Sequence, residues 1–382
     1  MVTQLVLGKP SETFWEAYQH LWENSPERSP FKAPHLLRYF SDVTPDTLGA
    51  FVFVREGKLR GAFLLKERRG VCTFLSDLKT DVNTFVLDRR CTNEERHAFY
   101  QELLTAIRER GWSFELNNQP AQADYLLLLE AAARQMGMHW LLVPHSTCPM
   151  LKSATPADVE MRLQQNHRYR YYANRLRTQE QAVFRAFDQE DALESWVKAY
   201  CQAHVQRWAN TPTPSNLQSV RQQKFLLHCL RAWHQDGLAV RFSLHLPDER
   251  PIAFAIGLRQ PPALVFHATT FNPAFARYSP GKALIYHIAI WMAQNGLSVL
   301  DFGDGDEPYK YDTANDERPL CRVFICQKAH LTCRAKALFF RYLKAHPRVE
   351  HAYRYKIKPL AAKVALLLHA LAEPTEAMLA GL

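Results

Sequence analysis

The chain has 382 residues, of which 47% are hydrophobic and 22% are charged, so it is long enough for about two or three folded domains. It contains no apolar run of about 18 residues, and its first residues lack the basic and apolar regions of a signal peptide, which argues against a membrane span and for a cytoplasmic protein. The eight cysteines show neither a C-x-x-C pair nor zinc-ligand spacing, so we expect reduced thiols and no metal site.

The net charge of +9 is spread unevenly along the chain. Ten Lys or Arg residues and a single acid, Glu350, fall between Lys328 and Lys363, and no acid interrupts the basic cluster from Arg162 to Arg177. Basic patches favour an anionic partner, which could be a phosphate, a nucleic acid or an acidic membrane surface. A solvated helix face is the simpler interpretation of the C-terminal cluster.

The first half reads as short helices and proline-rich turns, then a strand meander, then alternating helices and strands. A capping-box pattern at Thr92 and Glu95 marks the start of the predicted helix 92–110. The predicted elements are strands 51–56, 58–67 and 71–76, helix 92–110, strand 112–117, helix 124–136 and strand 138–144. This order indicates an α/β unit with a mixed sheet.

The second half repeats this order. Its predicted elements are a basic helix 156–179, strand 182–187, helices 191–208 and 218–236, strands 238–246, 251–259 and 263–270, helix 281–295, and strands 297–302 and 321–327. We therefore predict a duplicated α/β fold with an N-terminal domain over 1–150, a catalytic domain over 151–330 and a basic helical segment over 331–382. No low-complexity linker separates the halves, so we expect them to share an interface.

The helix over 191–208 ends with a polar element. His204 and Trp208 lie one turn apart on its apolar face, and Arg207 lies beside them. A histidine on such a face is often structural, but the neighbouring arginine indicates that this helix end lines a polar cleft.

A second candidate is the helix start at Ser279-Pro280-Gly281-Lys282. Serine is a favoured N-cap and proline a favoured first helical residue, so the amides from Gly281 onward should point out of the helix N-terminus. Together with the nearby Arg277, they would form an anion site. A plain capped helix remains the alternative.

The third candidate is the segment DFGDGDEPYKYD, which follows a short apolar strand and ends at Asp312. It carries acids, phenols and an amine on a turn-rich stretch: Asp301, Asp304, Asp306, Glu307, Tyr309, Lys310, Tyr311 and Asp312. Such a turn suits proton transfer, although a solvated acidic turn explains the spacing equally well. The pattern fits neither a calcium loop nor a dinucleotide-binding turn.

The motif G-D-E-P-Y-K after a strand ending in D-F resembles the signature of CelD-like acetyltransferases, which are GNAT-fold N-acyltransferases distantly related to the FemABX aminoacyl-transferases. The basic run from His167 to Arg177, the His-x-x-Arg-Trp element and the Ser-Pro-Gly turn agree in order. The resemblance covers residues 145–327 well and the N-terminal third only in element order. The chain lacks the fuller Q/R-x-x-G-x-G/A pattern of ordinary GNAT enzymes, and Pro280 removes one amide donor.

This resemblance implies two fused GNAT-like domains and transfer of an acyl group from acyl-CoA, with acetyl-CoA as the first expectation, to an amine acceptor. It implies that Arg277, Ser279, Gly281 and Lys282 hold the coenzyme A pyrophosphate. His204, Arg207 and Trp208 would face the acceptor, and Asp304 and Tyr311 are further candidates for binding it.

The acid–base roles follow from the chemistry, because the acceptor amine must be neutral and the leaving thiolate needs a proton. Asp306 or Glu307 could serve as the base, and Tyr309 or Tyr311 as the acid. Lys310 could pair with a carboxylate or hold an anionic group. Two alternatives stay open: a FemABX-like transfer from aminoacyl-tRNA, and a non-catalytic GNAT-derived binding module.

Overall fold

The computed structural model describes residues 2–77, 80–211 and 214–357 as a mixed α/β structure. The last part of the C-terminal segment, residues 358–382, lies outside the described residues. The first half contains β1 (Val2–Leu7), α1 (Glu12–Glu23), α2 (Pro34–Val43), β2 (Thr47–Arg55), β3 (Lys58–Arg68), β4 (Val71–Phe74), β5 (Val86–Leu87), α3 (Asn93–Glu109), β6 (Ser113–Pro120), α4 (Tyr125–Gln135) and β7 (His139–Lys152).

The remaining helices and strands belong to the second half, from residue 156 onward. It contains α5 (Pro156–Gln165), α6 (His167–Gln179), β8 (Val183–Phe187), α7 (Leu193–Trp208), α8 (Val220–Gln235), β9 (Ala239–His245), β10 (Pro251–Gln260), β11 (Ala263–Phe271), α9 (Pro280–Gln294), β12 (Val299–Asp301), α10 (Pro308–Tyr311), β13 (Asp316–Cys326), α11 (Leu331–Ala345) and α12 (Pro347–Ala352). Short 3-10 helices occur at Pro30–Lys32, Asn216–Gln218 and Pro273–Tyr278. None of the described helices has the length and hydropathy that a membrane span requires.

The strands form one continuous sheet in the order β1-β2-β3-β4-β6-β13-β7-β12-β11-β10-β9-β8, with β5 paired to β3. Two neighbouring pairs are parallel, β4 with β6 and β11 with β12, whereas the other described pairs are antiparallel. In each half a helix, α3 or α9, crosses over between the antiparallel strands and the parallel one. The two halves therefore repeat one arrangement, as the order of predicted elements suggested.

The last strand lies in an unexpected place. The sequence put strand 321–327 at the end of the second half, but β13 is inserted between β6 and β7 of the first half. Cys321, Val323 and Ile325 complete the core under α3 and α4, and the opposite face of β13 packs against α11. Strand β13 is therefore buried on both faces, and both of its edges are paired.

Strand β7 links the two halves of the sheet. It pairs with β13 up to Met150 and then with β12 from Met150 to Lys152. Because the strand runs unbroken through residue 150, the domain division there stays a prediction.

Helix packing differs between the two faces of the sheet. On one face α1 and α2 share a single hydrophobic core with α7 and α8, so helices of both halves pack together. On the other face, α3 and α4 cover one core, and α5, α6 and α9 cover another. The shared core and the continuous sheet place Asp81, which precedes β5, beside His267 of β11 and Gly303 after β12.

Local sequence signals explain most element boundaries. The capping box of Thr92 and Glu95 is present with both of its hydrogen bonds, as expected. The expected long helix over 156–179 is instead two helices, because Asn166 leaves the helical conformation and its side chain accepts the amide of Tyr169. All eight cysteines lie among the described residues, are buried, and are thiols outside any disulfide.

Replacing Ile325 with alanine should destabilise the whole chain by about 2–5 kcal/mol, because this fully buried residue of β13 leaves a cavity in the first-half core. The measurement is urea unfolding followed by circular dichroism and by tryptophan fluorescence. Since β7 pairs with both β13 and β12 in one continuous sheet, both signals should shift together. Leu331→Ala, at a side chain that is 68% exposed, is the control and should stay within about 0.5 kcal/mol. Two separate transitions, with only one of them shifted, would contradict the expectation.

Candidate functional site

The end of the parallel β11/β12 ladder is the structural centre of the candidate site. Val265 and Asp301 form its last pair. The Asp301 side chain is almost fully buried, where one carboxylate oxygen accepts the Gly303 amide at 2.9 Å and the other accepts Arg318 Nη1 at 3.0 Å. Burial raises the pKa of Asp301, and the charge of Arg318 offsets part of that rise. Asp301 therefore anchors the start of the acidic segment.

Lys310 supports the loop from within. Its ammonium donates to the carbonyl oxygens of Gly303, Asp304 and Gly305 at 3.3, 2.9 and 3.3 Å. It also lies 2.9 Å from Glu307 Oε2. An ammonium has three donors, so these contacts use all of them. This geometry matches the expectation that Lys310 pairs with a carboxylate, while the Glu307 side chain stays 56% exposed.

The other members of the acidic segment have unequal surroundings. Asp306 is exposed, and Tyr311 is exposed with its hydroxyl 3.3 Å from Glu317 Oε2. Asp304 is partly buried, and burial raises the pKa of its carboxyl group. Tyr309 packs edge-on against Phe302, and burial raises its pKa, so the phenol keeps its proton at neutral pH.

The His204 element forms a stack of rings at the end of α7. The imidazole lies between Tyr200 and Trp208, and its Nδ1 is 2.8 Å from Ser215 Oγ. Burial, with a contribution from Arg207, lowers the pKa of His204 to about 4. This histidine is therefore neutral at physiological pH.

Arg207 connects the end of α7 to the acidic segment. Its guanidinium lies over the Phe271 ring at 4.3 Å and donates to the Thr269 carbonyl at 3.5 Å. Its charge also lowers the pKa of Tyr309, which offsets part of the effect of burial. The structure thus brings two of the predicted elements, the end of α7 and Tyr309, to one location.

The start of α9 differs from the predicted serine cap. Ser279 has left-handed backbone angles (φ 46°, ψ 56°), and its side chain makes no cap hydrogen bond, because the residue also ends the 3-10 helix Pro273–Tyr278. Its carbonyl accepts the amides of Lys282 and Ala283. Within the described chain the Gly281 amide has no hydrogen-bond partner, and a Cβ built on Gly281 meets nothing within 4 Å. The helix N-terminus therefore has one free amide, and the space that a side chain at Gly281 would occupy is open.

Charged side chains surround this helix start, and most are already paired. Lys282 Nζ lies 2.6 Å from Asp312, whose other oxygen is 3.6 Å from Arg168 of α6. Arg277 lies 3.8 Å from Glu180, and Arg175 donates to the Arg277 carbonyl at 3.2 Å. Hence the basic helix α6 and the Ser-Pro-Gly turn, distant in sequence, meet at one end of α9.

Sequence reasoning missed a histidine–aspartate pair that joins the halves. His267 Nδ1 lies 2.9 Å from Asp81 Oδ2, and the side chains are 19% and 17% exposed. Burial lowers the pKa of His267, but the charge and the hydrogen bond of Asp81 outweigh burial, so the net pKa is raised. The partners are 186 positions apart, and no local motif marks either of them.

His267 is placed by an irregularity of β11. Phe266 pairs with Gly257 and Ala268 pairs with Ile256, which leaves His267 as the extra residue of a β-bulge. A bulge redirects a side chain relative to the regular alternation of a strand. This bulge lies two residues beyond Val265, where the parallel ladder ends.

Comparison with known proteins identifies part of the chain. Residues 164–311 match the family model of the acetyltransferase (GNAT) domain. A search of curated protein sequences finds no match. The GNAT part of the expected resemblance is therefore confirmed for this region, whereas the narrower CelD-like identification stays a prediction.

Solved structures resemble the chain over both halves. FemX superposes with a TM-score of 0.62 at 9% identity, covering 87% of this chain and 100% of FemX. L-PGS from Bacillus licheniformis gives 0.56 at 10% identity, covering 87% and 98%. The C-terminal domain of a putative lysylphosphatidylglycerol synthetase from Agrobacterium fabrum gives 0.54 at 12% identity, covering 86% and 96%. With the GNAT match, the predicted fold class of paired GNAT-like α/β halves is confirmed.

Replacing Arg318 with leucine should destabilise the fold by about 3 kcal/mol at neutral pH, since the buried Asp301 carboxylate loses its partner. The raised pKa of Asp301 means that the native state holds this proton more tightly than the unfolded chain does. The resulting stability is present at low pH and is lost as pH rises through the native pKa. Without Arg318 the pKa of Asp301 rises further. The stability that the Arg318→Leu variant loses relative to the parent should therefore be larger at higher pH.

Urea unfolding of the Arg318→Leu variant at about pH 5 and about pH 7.5 measures this difference. The matched control combines Arg318→Leu with Asp301→Asn, which removes the uncompensated charge and should restore part of the stability. An equal loss at both pH values, or a double variant weaker than the single one, would rule out this role for the ion pair.

Proposed function

We propose that this chain is an N-acyltransferase that moves an acyl group from acyl-CoA, with acetyl-CoA as the first donor to test, to an amine acceptor. The observation that carries the proposal is the start of α9. This helix follows β11, crosses to the parallel strand β12, and presents the free Gly281 amide within the region that matches the GNAT domain. A helix N-terminus favours an anion through its free amides and its dipole.

In this proposal the coenzyme A pyrophosphate binds at Ser279 and Gly281, flanked by Arg277 and Lys282. Both basic side chains are paired with acids in the structure, so a bound phosphate would compete with Asp312 and Glu180 for them. Further positive charge comes from α6, whose Arg168 and Arg175 lie at the same end of α9. The two phosphates of the pyrophosphate carry more negative charge than these single carboxylates. They would therefore interact more favourably with the basic side chains gathered here.

The proposed chemistry needs a proton donor for the leaving thiolate. Tyr309 suits this role because its phenol stays protonated and Arg207 can stabilise the phenolate that forms. Tyr311 is the exposed alternative. Asp306 or Glu307 is proposed as the base, with Lys310 holding Glu307 in place.

The acceptor is proposed to approach the end of α7. His204, Arg207 and Trp208 would line its path, together with Asp304 and Tyr311 from the acidic segment. The Trp208 indole nitrogen is buried without a hydrogen-bond partner among the described residues, so it has a donor free for an acceptor group.

A second candidate function is a FemABX-like transfer from aminoacyl-tRNA. The observation that favours it is the similarity to FemX over 87% of this chain, which includes the first half as well as the GNAT region. The basic residues of α6, α11 and α12 would then contact RNA phosphates.

Gly281→Val should weaken coenzyme A binding at least about tenfold, since the added side chain occupies open space at the residue that supplies the free amide. The affinity is measured by calorimetry, and thermal unfolding checks that the fold is retained. Gln294→Val, at the exposed other end of α9, is the matched control and should bind like the parent. Unchanged affinity in Gly281→Val would exclude this placement of the pyrophosphate.

The salt dependence of binding should separate the two donors. Coenzyme A affinity should change little with salt, because few phosphates are held. RNA affinity should fall with a log–log slope of about −0.7 for each neutralised single-strand phosphate. Tight tRNA binding with a steep slope, in a chain that shows no acyl-CoA binding, would favour the FemABX-like function over the first proposal.

A further inference from the structure

The Asp81–His267 pair lies beside a large cavity that none of the roles above uses. The cavity has a volume of about 780 Å³ and lies between α2 and α8. His267 lines it, with the rings of Tyr39, Phe225 and Trp233. Since Nδ1 of His267 is engaged by Asp81, Nε2 is the nitrogen left to meet a ligand, and it makes no hydrogen bond within the described part of the chain.

The electrostatics of the cavity indicate what it would bind. Its described lining residues include the cations Arg221 and Lys224 and the imidazole of His228, and they include neither Asp nor Glu. A ligand bound in this cavity would contact aromatic rings, the cationic side chains of Arg221 and Lys224, and the imidazole of His267. An amine with a ring or sugar body and an anionic group matches these three features.

The position of Asp81 is secured by a buried polar network. Lys32 Nζ donates to the side chains of Asn83 and Ser76, both at 2.7 Å, and the Asn83 amide donates to the Asn118 carbonyl at 2.9 Å. Burial holds the pKa of Lys32 well below its ordinary value. This buried network fixes residues 80–83, and with them the Asp81 carboxylate that contacts His267.

We propose that His267 accepts the proton of the acceptor amine, that Asp81 positions it, and that the cavity between α2 and α8 binds an amine carrying an anionic group. This inference rests on the N-acyltransferase function proposed above and replaces Asp306 and Glu307 as the base. The β-bulge places His267 only about 7 Å along the strand from Val265, where the parallel strands end.

The proposed step conserves atoms and electrons. The amine nitrogen bonds to the acyl carbon of the thioester as the carbon–sulfur bond breaks. The excess proton of the nitrogen passes to His267 Nε2, and the departing thiolate takes a proton from the Tyr309 phenol. Solvent then removes the proton from His267 and restores the phenol.

The cavity is tested first without any donor, by calorimetry with matched amines. Glucosamine is compared with glucosamine 6-phosphate, and tyramine with tyrosine. At least one anionic member should bind about tenfold more tightly than its partner, and the pair that shows the preference distinguishes phosphate from carboxylate recognition. The double variant Arg221→Gln, Lys224→Gln should lose the preference, whereas Lys198→Gln, exposed on α7, should keep it. Equal binding within both pairs, or binding of none of the four amines, overturns the inference.

The role of His267 is tested with acetyl-CoA and the preferred amine. His267→Gln should lower turnover about 100-fold or more and leave acetyl-CoA affinity unchanged. If His267→Gln turns over at the parent rate, the inference about His267 is overturned but the proposed function is not. If the parent chain does not bind acetyl-CoA, the proposed function is contradicted, and the amine comparison remains valid.

Asp81 is tested by pH dependence. The charged group that contacts His267 is Asp81, whose charge also acts on Asp301 of β12. Arg221, Lys224 and His228 of α8 line the same cavity as His267, and Arg207 of α7 donates to the Thr269 carbonyl two residues along β11. Asp81→Asn removes the charge that raises the pKa of His267, so the acidic limb of the rate profile should move to lower pH. The imidazole titration followed by NMR should move in the same direction. If neither the acidic limb of the rate profile nor the NMR titration of the imidazole moves in Asp81→Asn, Asp81 does not position this histidine.

Discussion

The ion pair of Asp301 and Arg318 is the interaction on which the candidate site depends. A carboxylate that is 4% exposed is tolerated only with a compensating charge and hydrogen bonds, and both are supplied here. Arg318 belongs to β13, which lies among strands of the first half, while Asp301 ends the parallel strand β12 of the second. One buried contact therefore fixes the acidic segment, the end of the parallel ladder and the junction of the halves relative to one another.

Other parts of the site follow from this fixed junction. The loop after Asp301 turns through Gly303, whose position leaves no room for a side chain beside Asp81. Lys310 then closes the loop by collecting three of its carbonyl groups. The first half also contributes to this region, because Asp81 supplies the carboxylate that contacts His267.

The sequence predicted the features that depend on neighbouring residues. The capping box of Thr92 with Glu95 and the helix start at Pro280 lie where expected, because the signals for helix starts are local. The motif from Gly305 to Lys310 also led to the GNAT assignment. What could not be predicted depends on contacts between distant parts of the chain. The insertion of β13, the left-handed conformation of Ser279 and the meeting of Asp81 with His267 have no signature within a single window of sequence.

The insertion of β13 also constrains the order in which the molecule can be built. Synthesis proceeds from the N-terminus, and domains generally fold as they leave the ribosome. Here β6 and β7 cannot meet across a completed sheet until residues 316–326 have emerged, since β13 separates them. The first half must therefore wait, with a gap in its sheet, while the second half is translated. The complete sheet of the first half therefore cannot form until β13 has been translated, and until then β6 and β7 each carry an unpaired strand edge.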